Sequence, residues 1–168
     1  MKTTKEKMLA GEDYFANDPS LLVEVFRCKT LCQAFNTLPA TDEAGHLALL
    51  RQILGTCHSD TRITPPFHCD YGAQIHVGRG FRAGTNLTIL DEGEVRIGDD
   101  VTLGANVSLY TACHSTIPAE RNTFHVWTRP ITIGNRCVIG GSVTILPGVV
   151  IPDDTTIPAG SVVVRHNA

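Results

Sequence analysis

The chain has no apolar run approaching the ~18–20 residues that cross a bilayer, and its 14 Lys and Arg include no polybasic block. A formal charge of −3 over 168 residues gives no footing for non-specific nucleic-acid binding. The opening Met1-Lys-Thr-Thr-Lys-Glu-Lys leads into Met8-Leu-Ala-Gly rather than an apolar signal core. These gaps predict a soluble, cytoplasmic protein with neither a nucleic-acid nor a membrane partner. The six cysteines form no Cys-x-x-Cys pair and have no matching histidine pair, so no metal site is expected. Cys28 and Cys32, four apart in a helical pattern, read as core thiols, and the free thiols fit a reducing compartment.

What the chain does have is a six-residue beat. Aliphatic or small residues recur at Ile63, Cys69, Ile75, Phe81 and Leu87, then after a two-residue offset at Val95, Val101 and Val107. The beat returns at Ile131, Cys137, Val143, Val149, Thr155 and Ser161. A companion two residues on reads Ile97, Leu103, Leu109, Ile133, Ile139, Ile145, Ile151, Ile157 and Val163, often followed by Gly or Pro. Six residues are too few for a helical repeat but suit a short strand plus a turn. Three such units make one triangular coil, which buries its inward residues only on the coils above and below. A parallel β-helix is therefore expected over 61–168. A β-sandwich has irregular spacing, which the in-phase hexads from Ile131 oppose.

Residues 1–60 follow a different grammar and predict a helical cap. Asp18-Pro19 is an N-cap with proline at the first helical position. Leu21, Leu22, Val25, Cys28, Leu31, Cys32 and Phe35 then keep helical spacing until Pro39. A second helix from about Asp42 puts Leu47, Leu50, Leu54 and Cys57 on one face, and residues 4–10 add a short first helix. Such a cap covers the bare sheet edge of a β-helix. The rhythm fails once, over 111–130, so this polar stretch must leave the prism as a loop. His114 stands at its base, where rigid scaffold suits a general base.

Several segments carry a family resemblance. Tyr110-Thr-Ala-Cys-His114, the polar excursion and Pro130-Ile-Thr-Ile-Gly-Asn135 resemble the hexapeptide-repeat sugar O-acetyltransferases of the maltose, galactoside and nodulation type. So do Lys7-Met-Leu-Ala-Gly-Glu-Asp-Tyr14, Arg27-Cys-Lys-Thr-Leu31, Phe35-Asn36, Cys69-Asp-Tyr-Gly72 and Ile75-His-Val-Gly78. The resemblance implies a left-handed prism and direct acetyl transfer from acetyl-CoA to a sugar or related hydroxyl. It implies His114 as catalytic base and the backbone N–H of Gly141 at the oxyanion. Asp18, Arg27 and Asp70 match positions near the acceptor. It puts the CoA arm near Gly104, Gly141 and Ser142, with Arg165 close to the end, and sites between the chains of a homotrimer.

Each match has a plainer reading: Asp18 as a helix cap, Arg27 as a solvated helix residue, Asp70 as a turn residue. The sequence also departs from the family pattern. Gly84 stands where an acceptor-facing asparagine is common, with Asn86 two residues on; Glu92 replaces an aspartate, and Val138 a tryptophan. Relatives continue beyond the position of Ala168 into a proline-bearing tail that helps hold CoA. Trimeric carbonic anhydrases on the same prism use three histidines around zinc, but His68 and His76 lack their close pair. A non-catalytic trimeric scaffold, or transfer to an antibiotic or amine, stay open as alternatives.

Overall fold

The six-residue beat folds into three stacks of short parallel strands. The first face stacks Arg62–Ile63, Arg82–Ala83, Thr102–Leu103, Val138–Ile139 and Thr156–Ile157. The second stacks Phe67–Cys69, Leu87–Leu90, Ser108–Tyr110, Thr144–Ile145 and Val162–Val163. The third stacks Ile75–Val77, Val95–Ile97, Ile131–Ile133 and Val150–Ile151. This is a parallel β-helix of about five coils. The computed structural model describes residues 1–165, so the last three residues of the expected prism lie outside the described residues.

Beat and companion residues alternate inward around each outward side chain, and the inward set from Phe67 to Ile151 is buried as one core. β-branched residues dominate that set because they pack well on a pleated surface. At the first corner, between the first and second faces, Asn86, Asn106, Ser142 and Gly160 all take positive φ, from 57° to 75°. Asparagine and glycine tolerate that left-handed turn. At the third corner, side chains tie successive coils: Asp99, Asn135 and Asp153 each accept the N–H of Arg79, Asp99 and Asn135 respectively, all at 2.8 Å.

One sequence expectation needs correction. Ile63 and Cys69 are companion residues, not beat residues; the beat positions of the first coil are Thr61 and Phe67. Equivalent residues lie 20 apart in the first coils, 36 apart across the loop and 18 apart at the end. The extra length all falls at the second corner, between the second and third faces. There the chain runs from Cys69 to Ile75, from Ile89 to Val95, and from Leu109 to Ile131, but only from Ile145 to Val149 in the last full coil.

The cap comprises α1 (Thr4–Leu9), α2 (Pro19–Thr37) and α3 (Glu43–Ile53). Each begins on a side-chain cap: Thr3 with Glu6 in a capping box, Asp18 accepting from Ser20 N–H, and Asp42 accepting from Gly45 N–H. α3 stops one residue short of Leu54, so Cys57 lies beyond the helix and Ile53 joins the buried face in its place. α2 closes the open sheet edge in two ways. Cys28, Cys32 and Phe35 enter the prism core. Asn36 donates to the Phe67 carbonyl at 3.0 Å and accepts its N–H at 2.8 Å, so one amide stands in for the missing strand. Replacing Asp18 by alanine removes the α2 cap and should lower the melting temperature by a few degrees in a calorimetric scan.

The 111–130 stretch leaves the prism as expected, but it is not irregular. Ala112–Cys113 and His125–Thr128 pair as an antiparallel hairpin, with a single turn α4 (Pro118–Arg121) at its tip. The cap strand Tyr14–Phe15 adds to the hairpin's other side. Thr128 donates to the Met8 carbonyl at 2.7 Å, and His125 Nδ1 lies 2.5 Å from Asp13. Met8, Tyr14, Leu21, Tyr71 and Val126 bury themselves together beneath this junction.

Candidate active site

The second corner gathers the polar residues because its extra length gives them room. Asp70 sits there on the first coil, Asp91 and Glu92 on the second, and Thr111 on the third, just before the hairpin. Asp91 is fully buried and accepts the N–H groups of Asp70 at 3.0 Å and Tyr71 at 2.9 Å, which fixes the turn below it. Its other oxygen has no hydrogen-bond partner among the described residues. Thr111 donates to the Leu90 carbonyl at 2.7 Å and accepts Gly93 N–H at 2.8 Å, holding the backbone on either side of Glu92. Asp70 pairs with Lys29 of α2 at 2.7 Å.

Three carboxylates and two buried phenols, Tyr14 and Tyr71, thus lie near enough at this corner to feel one another's charge. Burial pushes Asp91 up to about 6 despite its backbone donors. Burial, reinforced by the charges of Asp70 and Asp91, pushes Glu92 up to about 7, against its own backbone N–H and the Thr111 hydroxyl. Burial and Glu92 hold both tyrosines far above the usual phenol range. A carboxyl raised on folding adds stability while it stays protonated. That stability is complete below the unfolded value near 4 and is lost as pH rises through about 6 and 7. Glu92→Gln should therefore melt higher than wild type at pH 8, with the gap closing toward pH 5. Parallel thermal melts across that range test this.

His114 follows the strand Ala112–Cys113 directly and is exposed. It lines a hollow of about 530 Å³ with Ala16, Arg121, Asn122, Phe124 and Val126. The hairpin tip and the cap strand build this hollow, so the base expected from the sequence lines a cavity.

The other expected site residues are spread over the molecule. Gly104, Gly141 and Ser142 come together at the first corner on consecutive coils; a Cβ on Gly104 would come within 2.5 Å of Gly141 N. Gly140 N–H pairs with Ile157 O and Ser142 N–H with Ala105 O, both at 2.8 Å, while Gly141 N–H has no acceptor among the described residues. Asn86 shares that corner, its amide donating to Asn106 at 2.9 Å in a ladder. One chain therefore keeps His114 and Gly141 at different corners, separated by the second face. Arg165 lies at the second corner of the last coil, beside Gly148 and Arg129. Asp18 spends its carboxylate on the α2 cap, accepting from Ser20 N–H at 2.8 Å, Ser20 Oγ at 2.7 Å and the Thr4 hydroxyl. Arg27 is exposed on α2, and no described side chain pairs with it. His68 and His76 point out from the second and third faces, so they form no pair; His76 Nδ1 instead meets Thr56 Oγ1 at 2.9 Å.

Sequence reasoning missed Tyr14, Tyr71 and Asp91. Tyr14 sits on a two-residue strand too short to show a period. Tyr71 and Asp91 fall within the phase slips that hid the true register.

Comparison with known proteins fits this architecture. The maltose acetyltransferase hexapeptide capping motif matches residues 7–58, and the hexapeptide repeat of succinyl-transferase matches 94–111 and 130–165. Nodulation protein L of Rhizobium meliloti (strain 1021) is 42% identical over 149 residues, covering 88% of this chain and 81% of that protein. The chain belongs to the hexapeptide-repeat acetyltransferases. Among solved members of that family, a maltose O-acetyltransferase from Clostridium difficile 630 superposes with a TM-score of 0.96 at 39% identity, covering 99% of this chain and 89% of that one. A galactoside acetyltransferase in complex with coenzyme A gives 0.91 at 34%, covering 95% and 80%. Membership makes this chain an acyltransferase, and the fold expected from the beat is the family's fold.

Proposed function

We propose that the chain moves an acetyl group from acetyl-CoA to a hydroxyl of a sugar or related small acceptor, in one direct step, with His114 as general base. The observation that carries this reading is the placement of His114: directly after a strand, exposed, and lining a hollow. A sugar hydroxyl ionises far above neutral pH and is a poor nucleophile. Neutral imidazole removes its proton as the oxygen attacks the thioester carbonyl, a service worth ~10²–10⁴-fold. The tetrahedral oxyanion that forms needs a donor, and the N–H of Gly141, without an acceptor among the described residues, is a suitable one. Collapse expels the CoA thiolate, which takes the proton back from the imidazolium.

Because His114 and Gly141 occupy different corners of one prism, the reading requires two chains per site. A trimer with His114 of one chain facing the Gly104–Gly141–Ser142 corner of its neighbour meets that need. Asp70 and Glu92 then form the acceptor wall below His114, with Asp18, Arg27 and Asn86 as outlying contacts. Arg165 would stand near the far end of the CoA arm. The maltose and galactoside activities in the names of the similar structures support a sugar acceptor.

The test is CoA release from acetyl-CoA over a panel of glucose-, maltose- and galactoside-type acceptors. Acceptor-dependent release is the expected result. Saturable CoA binding with no release on any hydroxyl acceptor, but release on amines, would replace the proposal with amine transfer. Arg27→Ala should raise the acceptor KM with little change in kcat; an unchanged KM returns Arg27 to the solvated helix.

A further inference from the structure

Three buried thiols meet where α2 lies on the first coil. Cys28 and Cys32, one helical turn apart on the buried side of α2, both face Cys69, the inward companion residue of the second face. The Sγ atoms of Cys28 and Cys69 are 3.4 Å apart and those of Cys32 and Cys69 3.6 Å, and all three lie within 4.8 Å of one another. None of the three thiols is more than 4% exposed, and none is in a disulfide. The cluster is not visible in the cysteine spacing, because its third member arrives through the fold from 37 residues away.

We propose that Cys28, Cys32 and Cys69 form a three-coordinate site for a soft, thiophilic metal ion, copper(I), buried between the cap and the prism. Three sulfurs around one ion at about 2.3 Å stand about 4 Å apart, so Cys69 needs to move from its two partners by only about half an ångström. Among the described residues no His, Asp or Glu joins the three thiols as a fourth ligand. Zinc favours four tetrahedral ligands in such closed sites. A thiolate-only set selects copper(I), which accepts three sulfurs in a plane. Binding displaces the thiol protons, up to three per ion, and moves no electrons. The ion would pin α2 to the coil that carries Asp70 and Tyr71, so loading should also raise the melting temperature.

The experiment uses the full chain, reduced, metal-free and under argon, titrated with copper(I) held by bathocuproine disulfonate. Wild type should retain one copper per chain and develop the ultraviolet band of thiolate-to-copper charge transfer. Cys57→Ser, outside the cluster, should behave like wild type, and Cys69→Ser should retain none. Should Cys69→Ser fail to fold, Cys32→Ser takes its place. X-ray absorption on loaded wild type gives an answer that needs no variant: one shell of three sulfurs at about 2.3 Å is expected. No retained ion, equal retention by the folded cluster variants, nitrogen or oxygen in the first shell, or preference for zinc would each overturn the assignment. So would formation of a disulfide on copper addition in place of uptake.

Discussion

Replacing His114 by alanine is expected to lower turnover by at least ~100-fold while leaving the melting temperature and assembly of the protein unchanged. The stability half follows from its surroundings. His114 is exposed at the end of a two-residue strand, and no described side chain hydrogen-bonds its ring, so removing it opens no cavity and strands no partner. The turnover half follows from the chemistry: without a base, the acceptor hydroxyl must lose its proton to water during attack. Steady-state rates at saturating acetyl-CoA, beside a thermal melt, read both halves. Near-wild-type turnover would move the base elsewhere, and Glu92, held near neutral pH by burial, would be the next group to test. A His114→Gln variant, which keeps the size and polarity of the ring but cannot take a proton, should be as slow as alanine.

The prism could be read from the sequence because its code is local. One inward aliphatic per six residues, a companion two residues on and a turn-forming residue after it repeat through Ile131–Val163 with no dependence on distant partners. The helix starts were equally local: Asp18 before Pro19 and Asp42 before Glu43 act on N–H groups two or three residues ahead. The candidate site was less legible because it is made of exceptions to that code. Its corner holds extra residues on three successive coils, and a phase slip in a repeat says that something is inserted without saying what the insertion meets. The first slip even misassigned Ile63 and Cys69. Tyr14 reaches the site through strand pairing with Val126, a partner 112 residues along the chain from its neighbourhood, as the His125–Asp13 contact shows. Asp91 and Glu92 look like an ordinary acidic turn. Only the fold buries one wholly and most of the other, and that burial is what raises their proton affinity.

The two-corner arrangement carries the second large expected effect. A His114→Ala chain keeps an intact first corner, while a Gly141→Leu chain keeps an intact His114 and has its first corner filled by a side chain. The space at Gly141 permits this substitution with a small adjustment, since a Cβ there would meet Ala105 O at 3.2 Å. Each variant alone should be inactive. If every site joins the His114 of one chain to the first corner of the next, mixed trimers contain some sites with neither lesion. Random equal mixing leaves about a quarter of sites intact, so co-refolding the two inactive proteins should recover roughly a quarter of wild-type turnover. Mixing without unfolding should recover none until subunits exchange, which separates true complementation from a contaminating enzyme. Failure to recover activity after verified co-assembly would mean that one chain supplies both corners of a site. That would require a large movement of the hairpin across the second face, which its pairing to Tyr14–Phe15 and its Thr128–Met8 tie both oppose.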